Sequence, residues 1–245
     1  MAHLTIQRKS ASLGKESVIH VIVPNSPVQH PLKVLYLLHG LSDDASCWSR
    51  YTSLEFFLKN ETTVVVMPDG GRSFYADTAY GERYFTYVSQ ELPEWIQFLF
   101  PVSAQQQDTF IAGLSMGGYG ALKTAFTFPE RYGGVAAFSA VCDVRKRCQE
   151  LTPPLAATLG PNPDWAALDL FALAKKSESA PKKPKIYQWC GTSDFLYQEN
   201  KEFQKYMESL DFDYHFFESE GDHMWRYWNE QIAKAMEYFG LCHLS

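Results

Sequence analysis

Short runs of β-branched and aromatic residues alternate along this chain with longer stretches of helical periodicity, and that alternation limits the fold more than any other feature. Ser17–Val23, Val34–Leu38, Thr63–Met67, Thr109–Gly113, Val135–Ala140, Lys185–Cys190 and Tyr214–Glu218 read as strands. Val34–Leu38 (VLYLL) and Val64–Met67 (VVVM) are apolar throughout, the pattern of strands buried on both faces. Glu91–Phe100, Gly117–Phe128, Asn200–Leu210 and Trp225–Phe239 read as helices. Pro93 falls in a first turn, where its missing N–H costs little, and Pro129 and Gly240 mark two helix ends. Strands alternating with helices imply an α/β architecture, a mostly parallel sheet covered on both faces. Ser17–Val23 is assigned to an antiparallel N-terminal part of that sheet. A chain of 245 residues suits one such domain, spanning 1–245.

Composition excludes several classes. With 46% apolar and 20% charged residues the chain reads as globular. Its net charge of −6 argues against a nucleic-acid partner and against electrostatic attachment to an anionic membrane. Met1–Ser10 is polar and lacks the apolar core of a secretion signal, and no uncharged apolar stretch is long enough to span a bilayer. Five cysteines (Cys47, Cys142, Cys148, Cys190, Cys242) at irregular spacing, without a CxxC pair, suggest reduced thiols in a cytoplasmic protein.

One segment, 143–184, breaks the rhythm. It carries Pro153, Pro154, Pro161, Pro163, Pro181 and Pro184 and two basic clusters, Arg145-Lys146-Arg147 and Lys182-Lys183. It is too long for a plain connection and reads as an insertion over the carboxyl ends of the strands, with one or two short helices. The two basic clusters are read as solvated.

Gly113-Leu114-Ser115-Met116-Gly117-Gly118 fits G-x-S-x-G, with a buried strand before it and a helix after it. A serine on that turn exposes its hydroxyl at the sheet edge and at a helix N-terminus, where developing negative charge is favoured. A hydroxyl is a weak nucleophile and needs a base that a third group orients. In this setting the chain order is serine, acid, histidine. His223 lies in the loop between the last strand and the last helix, while His215 sits inside a strand and His243 near the C-terminus, so His223 is the candidate base. Asp194 follows the preceding strand and is the candidate acid, ahead of Glu199 and Asp222. Oxyanion donors are expected from the backbone of Met116, next to the nucleophile, and of Leu41 in the loop after Val34–Leu38. His39 reads as a structural histidine of that loop. No HxxxH, HxH or phosphate-loop pattern occurs, so no metal or cofactor is expected.

The stretches VLYLLHGLSDDASCW, VVVMPDGGRSFYADTAYG, YVSQELPEWI, FIAGLSMGGYGAL, WCGTSDFL and GDHMWRYW together resemble the esterase D family of α/β-hydrolases, within it the tributyrin-esterase branch. The resemblance runs from about residue 18 onward. It implies an α/β-hydrolase fold, Ser115, Asp194 and His223 as a triad, Leu41 and Met116 as oxyanion donors, and hydrolysis of short-chain acyl esters through an acyl-enzyme. A small-molecule ester is then the expected partner, and dimers or tetramers are compatible. Acyl transfer, or hydrolysis of carbohydrate or feruloyl esters, shares the same machinery. S-formylglutathione hydrolases carry a Gly-His-Ser elbow and a Ser-Gly-Leu-Thr-Cys loop; here Leu114 precedes the serine and the loop reads His39-Gly40-Leu41-Ser42. Among the loop aromatics Trp48, Phe74, Tyr75 and Trp225, the walls of the acyl pocket are assigned to Trp48 and Tyr75.

Overall fold

A computed structural model describes residues 1–25, 31–150 and 155–243. Eight strands form one sheet: β1 (Ala2–Lys9), β2 (Glu16–Val23), β3 (Lys33–Leu38), β4 (Thr63–Pro68), β5 (Thr109–Leu114), β6 (Gly134–Phe138), β7 (Lys185–Gly191) and β8 (Tyr214–Ser219). Their order is β1-β2-β4-β3-β5-β6-β7-β8. The β1–β2 and β2–β4 pairs are antiparallel and all pairs from β4 to β8 are parallel. This is the α/β-hydrolase fold, with β2 in the antiparallel part expected of it.

The two-residue side-chain period of a strand sorts the core into two. Val34, Tyr36 and Leu38 of β3, Val64 and Val66 of β4, and Ile111 of β5 pack on one face. Leu35 and Leu37, Val65 and Met67, and Phe110, Ala112 and Leu114 pack on the other. The helices Met116–Thr127 and Tyr197–Met207 cover the first face, and Trp225–Tyr238 covers the second. Both alternating sets are apolar, which is why the central strands read as continuous apolar runs.

Three features depart from the sequence reading. β1 lies in the polar N-terminal stretch. It is an edge strand with six of its eight residues exposed, so no burial alternation marks it. Pro93 falls in the first turn of the α-helix Leu92–Leu99, but a π-helical stretch at Tyr87–Glu91 runs into that helix ahead of it. The carbonyl of Ser89, which Pro93 cannot serve, accepts a hydrogen bond from Arg131 Nη1 at 3.0 Å. Among the described residues the segment after Asp143 carries four short helices, Val144–Glu150, Leu155–Leu159, Trp165–Leu168 and Leu170–Ser177, rather than one or two. Pro153 and Pro154 lie outside the described residues. Among the described residues no helix is long and apolar enough to cross a membrane.

Candidate active site

Ser115 joins β5 to the helix Met116–Thr127 at φ 54° and ψ −118°, a strained conformation for a residue with a Cβ. Surrounding contacts impose it. Ser115 N–H donates to Phe138 O at 2.9 Å and Ser115 O accepts from Val141 N–H at 3.2 Å, which ties the turn to the end of β6. The helix then passes so close to β3 that a Cβ on Gly117 would stand 2.3 Å from Leu38 O and 2.7 Å from His39 O. In the run Ile111–Gly120 only Ser115 is not buried.

Asp194 and His223 come together because the loops after β7 and β8 are stitched by backbone bonds, Ser193 N–H to Gly221 O at 2.8 Å and Thr192 N–H to Ser219 O at 2.9 Å. His223 Nδ1 lies 2.9 Å from Asp194 Oδ2, and the Asp194 side chain is fully buried. The other carboxylate oxygen accepts from Leu196 N–H at 2.8 Å. One oxygen thus fixes the turn and the other holds the imidazole. The His223 ring is held between Phe195 (4.5 Å) and, edge to face, Trp228 (4.9 Å). Ser115 and His223 open on one cavity of about 280 Å³, also lined by Gly40, Leu41, Ser42 and Asp43. Among the described residues no hydrogen bond joins the Ser115 hydroxyl to the imidazole, although both border the same cavity.

Leu41 borders that cavity and Met116 is the first residue of the helix after Ser115. Among the described residues, no acceptor takes the N–H of either. His39 holds the Leu41 loop: its Nε2 accepts from Gly70 N–H at 2.8 Å, leaving Nδ1–H to donate to Gly40 O at 2.7 Å. Both ring nitrogens are engaged by the backbone, so His39 is structural, as its place in the sequence suggested.

Other candidates lie elsewhere. His215 bonds Tyr238 and His243 bonds Glu61. Asp222 pairs with Arg226 at 3.7 Å, and Glu199 accepts from the backbone of Cys142 and Asp143 and from Arg147. Among the described residues no group of three His, Cys, Asp or Glu side chains could hold a metal ion.

The pocket walls require correction. Trp48 is fully buried against Phe138 and Trp225, its Nε1–H donating to Leu38 O at 3.0 Å. Tyr75 is fully buried with its hydroxyl on His39 O. Neither lines the cavity; Phe74, Phe195, Trp225 and Trp228 do. Trp48 acts one layer back, as a brace for Trp225. Arg147, read as part of a solvated cluster, also lines the cavity and pairs with Glu199 (3.1 Å) and Glu150 (2.6 Å). Helical spacing carries that signal: Val144, Arg147 and Cys148 stand at i, i+3 and i+4, and the first and last are buried.

The chain is similar to several known proteins. The family model described as "Putative esterase" matches residues 10–239. An acetyl esterase from Caldicellulosiruptor saccharolyticus is 31% identical over 97% of this chain and 98% of its own length. Two Staphylococcus aureus structures are each 32% identical over 97% of this chain and 98% of theirs. One is the fluorophosphonate-binding serine hydrolase FphF with substrate bound, at a TM-score of 0.90; the other is the S-formylglutathione hydrolase FrmB as apoenzyme, at 0.88.

Proposed function

The chain belongs to the esterase family and is a serine carboxylesterase, and on that premise we propose that it hydrolyses short-chain acyl esters through an acyl-enzyme on Ser115. The observation that carries this reading is the Asp194–His223 bond at 2.9 Å beside a cavity shared with Ser115. His223 takes the hydroxyl proton as Ser115 Oγ attacks the ester carbonyl, while Asp194 holds the imidazole with Nε2 free. The N–H groups of Leu41 and Met116 receive the oxyanion. His223 returns the proton to the leaving alcohol, then activates the water that releases the acid. The cavity is small, about 280 Å³, and its aromatic walls exclude long acyl chains.

The test is a panel of p-nitrophenyl esters from acetate to octanoate with wild type and Ser115→Ala, alongside fluorophosphonate labelling. Turnover and labelling are expected in the wild type and lost in the variant, with kcat/KM falling beyond butanoate. An active, labelled Ser115→Ala protein overturns the nucleophile, and a preference for octanoate overturns the short-chain reading. Thioester hydrolysis is a second reading, supported by 32% identity to the S. aureus S-formylglutathione hydrolase. Leu114 before the serine and the His39-Gly40-Leu41-Ser42 loop weigh against it, and S-formylglutathione completes the panel.

A further inference from the structure

Tyr75 stands behind the oxyanion loop, and its surroundings are built to hold it. A Cβ on Gly70 would stand 2.4 Å from its Cε1 and a Cβ on Gly120 2.4 Å from its Cδ2, so the ring is gripped between two bare backbones. The Tyr75 hydroxyl donates to His39 O at 3.0 Å. Two residues further on, Leu41 offers its N–H beside the cavity. Phe74 and Tyr75 are both at positive φ, 51° and 48°, which bulky residues adopt only where neighbours impose it. Phe74 is itself a cavity wall.

Ser73 Oγ accepts from Tyr75 N–H at 2.9 Å, and the other side of this backbone meets Lys123, on the helix that starts beside Ser115. Its Nζ donates to Tyr75 O at 3.1 Å and lies 4.1 Å from the centre of the Phe85 ring. Lys123 is 2% exposed, and burial pushes its amine down to about 7. A buried lysine costs stability that a leucine or methionine in its place would not. Keeping an amine there calls for a reason beyond packing, and the Tyr75 carbonyl supplies one.

We propose that Lys123 and Tyr75 form a strut that sets the oxyanion loop, Lys123 fixing the Phe74–Tyr75 backbone and Tyr75 fixing the His39 carbonyl. Both are positioning residues, and the proposal rests on the reading of Ser115 and Leu41 given above. A displaced donor weakens transition-state binding more than substrate binding, so the loss falls on kcat.

The test pairs Tyr75→Phe, which removes one oxygen, with Lys123→Met and Lys123→Ala. Each is expected to lower kcat for p-nitrophenyl acetate by about tenfold to a hundredfold with KM unchanged. Lys123 also lines a second cavity of about 370 Å³, between Asp77–Phe85 and Leu159–Leu168. A small amine from solvent can therefore reach the space left in Lys123→Ala, and ethylammonium is expected to restore part of its kcat while leaving wild type unaffected. An unchanged kcat in folded Tyr75→Phe and Lys123→Met overturns the strut. An active Ser115→Ala protein overturns the catalytic reading instead, so the two failures are distinct.

Discussion

Asp194→Asn separates the orienting role proposed for this residue from its structural one. The native carboxylate uses both oxygens as acceptors, Oδ1 from Leu196 N–H at 2.8 Å and Oδ2 toward His223 Nδ1 at 2.9 Å. An amide has one acceptor and one donor. If its oxygen keeps the Leu196 bond, its NH₂ faces Nδ1, which must then accept. The proton moves to Nε2, and the imidazole facing Ser115 is no longer a base. The side chain is fully buried, so water does not replace the lost charge. The expected fall in kcat is about 10³–10⁴-fold, or about 4–5.5 kcal/mol of transition-state stabilisation. Unfolding should barely move, because the turn bond survives. If the amide turns the other way the turn bond is lost, at a cost of about 0.5–2 kcal/mol, and activity still falls because NH₂ meets an N–H. The assay is p-nitrophenyl acetate turnover near pH 8 beside urea unfolding of the same sample. A variant within about tenfold of wild type, some 1.4 kcal/mol, refutes the orienting role of Asp194.

Further outcomes follow from the same contacts. Gly117→Ala forces a Cβ onto the carbonyls of Leu38 and His39 at 2.3 and 2.7 Å, and should cost about 3 kcal/mol in urea unfolding together with most activity. Phe74→Ala or Trp225→Ala should raise the ratio of hexanoate to acetate kcat/KM by about tenfold, whereas Trp48→Leu should leave that ratio nearly unchanged and lower stability by about 3 kcal/mol; acyl-length profiles and unfolding curves check both. Lys123 is depressed in the folded state, from 10.5 to about 7, so the unfolded chain binds the extra proton between those values. Stability from this group is therefore flat below pH 7 and climbs from pH 7 toward 10. Wild type should gain on Lys123→Met over that interval in urea midpoints, and a constant difference would contradict the burial cost.

Much of this site was legible because its residues sit where chain order meets strand ends. Ser115 announces itself through glycines that a tight strand–helix contact demands. Asp194 and His223 each follow a strand, and parallel strands deliver their carboxyl ends to one rim. The aromatic residues were not legible in the same way. Trp48 lies in a helix of five residues, Cys47–Tyr51, too short to show a period, and Tyr75 in an irregular segment; both turned inward to hydrogen-bond carbonyls. Arg147 was hidden in a basic triplet whose two other members are exposed. β1 went unseen because a mostly exposed edge strand leaves no mark in hydrophobicity.

The placement of β8 has a consequence for how the enzyme fails. β8 is bonded on one side only, to β7, and four of its six residues are exposed, while the loop that follows it carries His223. Nothing comparable weakens β5, which lies between two partners and carries Ser115. Fraying at the rim removes the imidazole while the central strands stay intact. In rising urea, catalysis should therefore vanish at a lower concentration than circular dichroism, and Ser115 should keep its place after His223 has lost its own.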